Sequence, residues 1–354
     1  MEKLNKQNKA ENSTSKPVLS AALRLDTSSA TSTAEKVYTG KEIIDLYNSG
    51  RRDFRGINAI GANFSGANLK HVDFKFANLQ GANLTDANLQ GVNLSSANLQ
   101  GANLYGADIR YADLRGADLS GANLNSADLT FAELTGTSHI NADLINANLS
   151  GANFYGANLQ GANLSGANFY GANLSDAILL HACIGGARFK NANLEGANFR
   201  GADIRYTDLR GAKFHGANLQ DADLSGANLE GANLSGTNLQ DAYLEGTNLT
   251  SSHLQGANLQ GANLQGAKLL FANLSGANIQ NAILEGADLF SAKLHDANLQ
   301  GADLYGAKLE GADLEHANLK DANLRGANLQ GANIQNAILE GADLIGASLI
   351  GAKR

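Results

Sequence analysis

From Arg52 to Leu349 the chain alternates large apolar, polar and small residues with a period of five, most often as Ala-Asn-Leu-x-Gly, without one insertion or deletion. Taking the Leu or Phe as centre, units fall at Phe54, Ala59, Phe64, Leu69 and every fifth residue to Leu349, 60 units in one register. Only Ala59 and His139 break the rule of a large apolar centre. Two residues before each centre stands Ala in all but nine units, the exceptions being Arg52, Ile57, Val72, Val92, Thr137, Thr207, Thr237, Thr247 and Ser252. Both positions are therefore expected to face inward.

No single regular element accommodates this pattern. On an α-helix a step of five residues advances about 140° beyond a full turn, so the centres would spiral round every side. In a flat strand the side chains alternate with period two, and an odd repeat would send successive centres to opposite faces. The chain must instead turn once per unit, with Ala and Leu inside, their neighbours outside and Gly at the corner, where its dihedral freedom is needed. Turning the same way every five residues winds the chain into a coil, and coils stacked about 4.8 Å apart bury one continuous core.

The outward glutamines indicate how many units close one coil. Gln follows the centre at 13 positions, and eight of them (Gln80, Gln100, Gln160, Gln220, Gln240, Gln260, Gln280, Gln300) are spaced by multiples of 20. Four units per coil would stack these in one column, with Gln220 to Gln300 on consecutive coils as an amide ladder. The spacing thus predicts 20 residues per coil, a square section and 15 coils.

The unbroken array resembles the pentapeptide-repeat proteins. The resemblance implies an all-β solenoid, a right-handed quadrilateral β-helix, and the handedness rests on it alone. The long A-N-L-x-G array, with its opening Tyr47, Gly50, Arg52, Asp53 and Phe54, is similar to cyanobacterial members, some linked to developmental regulation. Other members resemble B-form DNA and bind DNA gyrase, so a DNA mimic acting on a topoisomerase is the alternative function. Counting outward charges weakens it: the most acidic face carries eight acidic against two basic residues, a net of −6. A duplex of the same length of about 70 Å carries on the order of 40 charges.

Ahead of the array the pattern changes twice. Residues 1–37 are rich in Ser, Thr, Asn and Lys without periodicity and read as a disordered tail, six basic against four acidic residues. Residues 38–50 read as a short helix: Thr39 and Glu42 make a T-x-x-E capping box, Tyr38 and Ile43 a hydrophobic staple, and Gly50 the stop. This capping helix is expected to cover the first coil of a β-helix spanning 51–354. The last coil has no such cover, and pairing of two copies through the C-terminal coil, or a fraying last turn, is expected.

Composition adds boundaries. The net charge of −7 is too modest for a nucleic-acid binder, and the single Cys183 excludes a disulfide framework and fits a reducing, cytoplasmic compartment. No apolar run approaches the roughly 18 residues of a membrane span. Neither a cofactor, a metal nor a catalytic residue is expected: His139 has no in-phase His, Cys or acid, with Thr137 and Ser138 its nearest polar partners, and Cys183 reads as an inert thiol despite His181 two residues before it. The motifs Ile109-Arg110-Tyr111 and Ile204-Arg205-Tyr206 lie 95 residues apart, on different faces, and read as duplication rather than a nucleic-acid groove.

What remains is an outer skin. Leu270 and Phe290 are predicted one coil apart in one column with Phe271 beside them, and Tyr111 and Phe131 stack similarly, the candidate contact sites for a protein partner. The expected function is a rigid, non-catalytic scaffold for protein–protein interaction.

Overall fold

The computed structural model describes residues 36–354; residues 1–35, most of the expected tail, lie outside the described residues. Every unit contributes one parallel bridge residue, from Asp53↔Asp73 to Asn333↔Lys353, and every bridge joins residues 20 apart. Four units therefore close one coil, and the stacked coils form a β-helical solenoid with four faces and four corners.

One hydrogen-bond scheme repeats throughout. The centre donates its N–H to the coil after, as in Leu99 to Asp118 O (2.7 Å), while the preceding Asn donates to the coil before, as in Asn98 to Ala77 O (2.9 Å). At each corner the Ala N–H closes a four-residue turn on the previous centre, as in Ala102 to Leu99 O (3.0 Å). The third residue of every turn has positive φ, 37 times a glycine and 23 times another residue. A positive φ at the third position is what a type II turn requires, which explains the glycine of the motif.

The asparagine of the motif has its own reason. Its side-chain Oδ1 accepts the N–H two residues on, as in Gln240 N to Asn238 (3.2 Å), and its Nδ2 donates to the Asn one coil earlier. On one face this makes a continuous ladder through Asn198, Asn218, Asn238, Asn258, Asn278, Asn298 and Asn318, with rungs of 3.0–3.4 Å. The amide ladder expected of Gln220 to Gln300 is thus built by the asparagines two residues before them. An Asn on the straight segment lies flush against its copy one coil away, whereas each Gln leaves from the bend.

Inside, Ala and the large apolar centres are buried along the array, with Phe169 and Phe189 stacked one coil apart at 4.4 Å. The inward hydroxyls all find carbonyls: Thr137 binds Leu134 O, Thr237 Phe214 O, Thr247 Leu244 O and Ser252 Leu249 O. His139 does not. It is fully buried, and neither Nδ1 nor Nε2 has a partner. The hydroxyls expected to serve it are committed elsewhere, Thr137 to Leu134 O and Ser138 to Ser120 Oγ at 2.8 Å.

Among the described residues a single helix, α1 (Gly40–Asn48), precedes the array. Thr39 and Glu42 exchange both bonds of the capping box, and Gly50 (φ 103) and Arg51 close the far end onto Tyr47 O and Leu46 O. Tyr38 N–H pairs with Asn58 O at 2.8 Å, so the segment before the helix extends the backbone pairing of the first coil, one residue out of step with the centres that follow. Ile43 is buried in the core, and Gly40 lies so close to the Asn63 carbonyl that no Cβ fits between them. Arg52, at a position where Ala normally points inward, is instead exposed, and its guanidinium lies 3.8 Å from the centre of the Tyr47 ring.

At the other end Ala337, Leu339, Ala342, Leu344, Ala347 and Leu349 are only partly buried. Ile338, Ile345 and Ile350 are exposed on the outside of the same coil.

Candidate interaction surface

With the interior filled, chemistry is confined to the faces and corners. Among the described residues, no group of three or more His, Cys, Asp or Glu is arranged to hold a metal ion. One open, shallow depression lies over Glu195, Lys213, Asn233, His253 and Gln255. Cys183 lies exposed on a face between Asn163 and Asp203, while the His181 ring lies over Gly201 at a corner, so the two do not form a nucleophile pair.

The aromatic residues collect unevenly. Ten exposed Phe and Tyr side chains occupy turns, and five of them, Tyr111, Phe131, Tyr170, Phe271 and Phe290, sit on one corner, at residues 110–111, 130–131 and their equivalents every 20. Tyr111 and Phe131 stack at 5.8 Å with an interplanar angle of 18°. Phe271 and Phe290 meet edge to face at 5.7 Å, with Leu270 half-buried beside them. All five residues singled out in the sequence therefore lie on a single corner, as two separate patches. Tyr170 belongs to it too and was missed; its number, a multiple of 20 from Phe290 and Leu270, was the available signal.

Three of these rings are held at a cost. Tyr111, Phe131 and Phe271 have φ between 57 and 59, the left-handed region where a Cβ crowds the following carbonyl, about 1–2 kcal/mol for a residue other than glycine. The rings lean along the solenoid axis: Phe131 covers Gly151, whose own Cβ would collide with the ring. His71, on the same corner, covers Gly91 in the same way.

Charges on the faces are largely self-neutralised. Arg55, Arg110 and Arg205 each fold back on the Asp two residues earlier at 2.6–2.7 Å and reach the stacked Asp of the next coil at 3.5–3.8 Å. The Arg110 guanidinium, hydrogen-bonded to the Asp108 carboxylate, holds that carboxyl below the ordinary range, and Arg205 does the same to Asp203. The two Arg-Tyr motifs are thus local clamps between coils that would otherwise set carboxylate above carboxylate.

A family model described as pentapeptide repeats matches in overlapping segments from residue 53 to residue 353. The chain belongs to the pentapeptide-repeat family. Pentapeptide repeats make a right-handed β-helical solenoid, which settles the hand. Among solved structures, the chain is similar to HetL, a pentapeptide repeat protein involved in heterocyst differentiation regulation from the cyanobacterium Nostoc sp. strain PCC 7120, with 29% identity over 89% of this chain and 98% of that one and a TM-score of 0.20. It is similar to the pentapeptide repeat protein Rfr23 from the cyanobacterium Cyanothece 51142, with 34% identity over 30% of this chain and 82% of that one, TM-score 0.23. A third is QnrB1, a plasmid-mediated fluoroquinolone resistance protein, with 22% identity over 58% of this chain and 86% of that one, TM-score 0.28. No curated protein matches.

Proposed function

We propose that this pentapeptide-repeat solenoid is a non-catalytic scaffold, regulatory in role, that binds a protein partner through its aromatic corner, with Leu270, Phe271 and Phe290 as one patch and Tyr111 with Phe131 as the other. One observation carries the reading: of the five exposed aromatic rings at left-handed turn positions, where 37 of 60 turns use glycine, three (Tyr111, Phe131 and Phe271) share this one corner, while Phe76 and Tyr206 stand alone on others. Folding alone does not favour such residues there, since glycine adopts that conformation without strain. Aromatic side chains are the ones that anchor protein interfaces.

The same observation separates binding from folding. Phe271→Gly removes the ring and restores the ordinary turn residue, so thermal stability should hold or rise slightly. The partner captured from native lysate by the wild-type chain should be lost from Phe271→Gly combined with Phe290→Ser. Retention of the same partner at the same yield would overturn the reading. A deletion of residues 1–37, run beside it, tests whether the tail docks the same partner.

The reading treats α1 as a lid on the first coil and the last coil as the site of homodimer formation, since Ile338, Ile345 and Ile350 ring an end whose leucines are half-open. Sedimentation of the full chain against Ile345→Ser with Ile350→Ser tests this; a wild-type monomer at high concentration would remove it. Localisation in the cytoplasm is part of the proposal and is tested by fractionation; among the described residues no helix is long and apolar enough to cross a membrane. Duplex mimicry, with binding to DNA gyrase, is opposed by the arginine clamps on Asp53, Asp108 and Asp203, which cancel charge where a phosphate mimic would keep it. Gyrase supercoiling should be unaffected by excess protein.

A further inference from the structure

Away from the aromatic corner, two turns one coil apart carry His295-Asp296 and Glu315-His316, so that imidazoles and carboxylates cross on the diagonal. The two rings approach to 5.4 Å between centres at 81°, a histidine–histidine contact found at no other place among the described residues. Each imidazole faces the acid beside it through the same atom: His295 Nε2 lies 3.0 Å from Asp296 Oδ2, and His316 Nε2 lies 3.6 Å from Glu315 Oε1.

Both carboxylates stand on the Nε2 side of the rings at ion-pair distance, and Nδ1 of each ring takes no hydrogen bond; a carboxylate beside the far nitrogen is the way metal-binding histidines are oriented. His215 offers the contrast, its Nδ1 being taken up 3.0 Å from Ser235 O and Oγ. Two imidazoles bound at about 2.0–2.1 Å to one tetrahedral ion have ring centres about 5 Å apart, close to the spacing seen. His316 also sits at φ 59, where most turns of this solenoid use glycine.

We propose that His295 and His316 form a two-imidazole chelate, through Nδ1 of each, for a borderline divalent cation such as Zn2+ or Ni2+, with Asp296 and Glu315 as the supporting carboxylates and water completing the coordination sphere. Imidazole suits these ions. The bound ion would tie two successive coils together at the surface. The competing account, two independent neighbour ion pairs with no ligand, predicts no uptake.

The experiment uses the full chain without an affinity tag, titrated calorimetrically with zinc chloride and separately with nickel chloride. One ion per chain is expected. His295→Gln and His316→Asn, the latter chosen because Asn tolerates the left-handed turn, should each abolish uptake, and Asp296→Asn should weaken it by about 10–100-fold. Long-range 1H–15N spectra of the imidazoles should move Nδ1 of both residues on adding zinc while far-ultraviolet circular dichroism stays constant. Failure of the wild type to take up either ion, uptake undiminished in His295→Gln, or a zinc response at Nε2 in place of Nδ1 would overturn the assignment.

Discussion

Replacing His139 with Leu restores the residue that the array calls for at a centre, and its effect should depend on pH in a defined direction. The imidazole is fully buried, tilted against Phe154 with ring centres 5.5 Å apart, and has no hydrogen-bond partner. Burial pushes its pKa down from 6.5 to about 4, with Asp118 opposing weakly. The unfolded chain therefore takes up a proton near pH 6.5 while the folded chain resists until about pH 4. Stability from the neutral ring is complete above pH 6.5 and is lost as the pH falls through that window, about 3 kcal/mol in all. At pH 7 the variant should already gain about 1–3 kcal/mol, because an unsatisfied polar group leaves the core. Near pH 4 the gain should be larger by about 3 kcal/mol. A solenoid of this length opens in segments, so amide hydrogen exchange of the coils flanking residue 139 is the appropriate assay, with wild type and variant compared at the same pH. A difference in protection that is the same at pH 7 and pH 4.5 would refute the argument and mean that the ring reaches a proton acceptor or water.

Other substitutions test the remaining joints. Gly40→Ala drives a Cβ into the Asn63 carbonyl and should free α1 from the first coil, seen as lost exchange protection over Gly40–Asn48; unchanged protection would mean that the helix does not depend on this close approach. Asn258→Ala removes both ladder bonds and the acceptor for Gln260 N–H, and should cost about 1–3 kcal/mol locally; Gln260→Ala, outside the ladder, should cost almost nothing, and equal losses would contradict the assignment of the ladder to asparagine. Phe271→Gly should leave the melting temperature unchanged or higher, since relief of a strained turn offsets the lost edge-to-face contact, worth about 0.5–1.5 kcal/mol.

The five-residue period made the interior legible, because inward Ala and Leu admit only a chain that turns once per unit. The glutamine column pointed to the 20-residue register that the bridges trace, yet named the wrong amides: side-chain length and departure point, which spacing does not encode, put the ladder on Asn198 to Asn318. The capping box of Thr39 and Glu42 was readable from two residues, whereas the close contact at Gly40 needs the neighbouring coil to be seen. His139 was expected to find Thr137 or Ser138. Alternation along the strand turns Ser138 outward, and Thr137 prefers the carbonyl already within reach. The aromatic corner could be placed by counting in twenties, but the backbone strain under Tyr111, Phe131 and Phe271 becomes visible only with the dihedrals.

Because four units close each coil, distance along this chain doubles as an angle. Inserting one pentapeptide between Phe131 and Phe271 would keep the five-residue phase of the interior, yet would swing the far patch a quarter-turn away from the near one; inserting four would bring it back, one storey higher. The gap of 140 residues between Phe131 and Phe271 is seven whole revolutions. A partner long enough to span both patches would thus read an integer, and mutants lengthened by five, ten, fifteen and twenty residues would sort themselves by compass bearing.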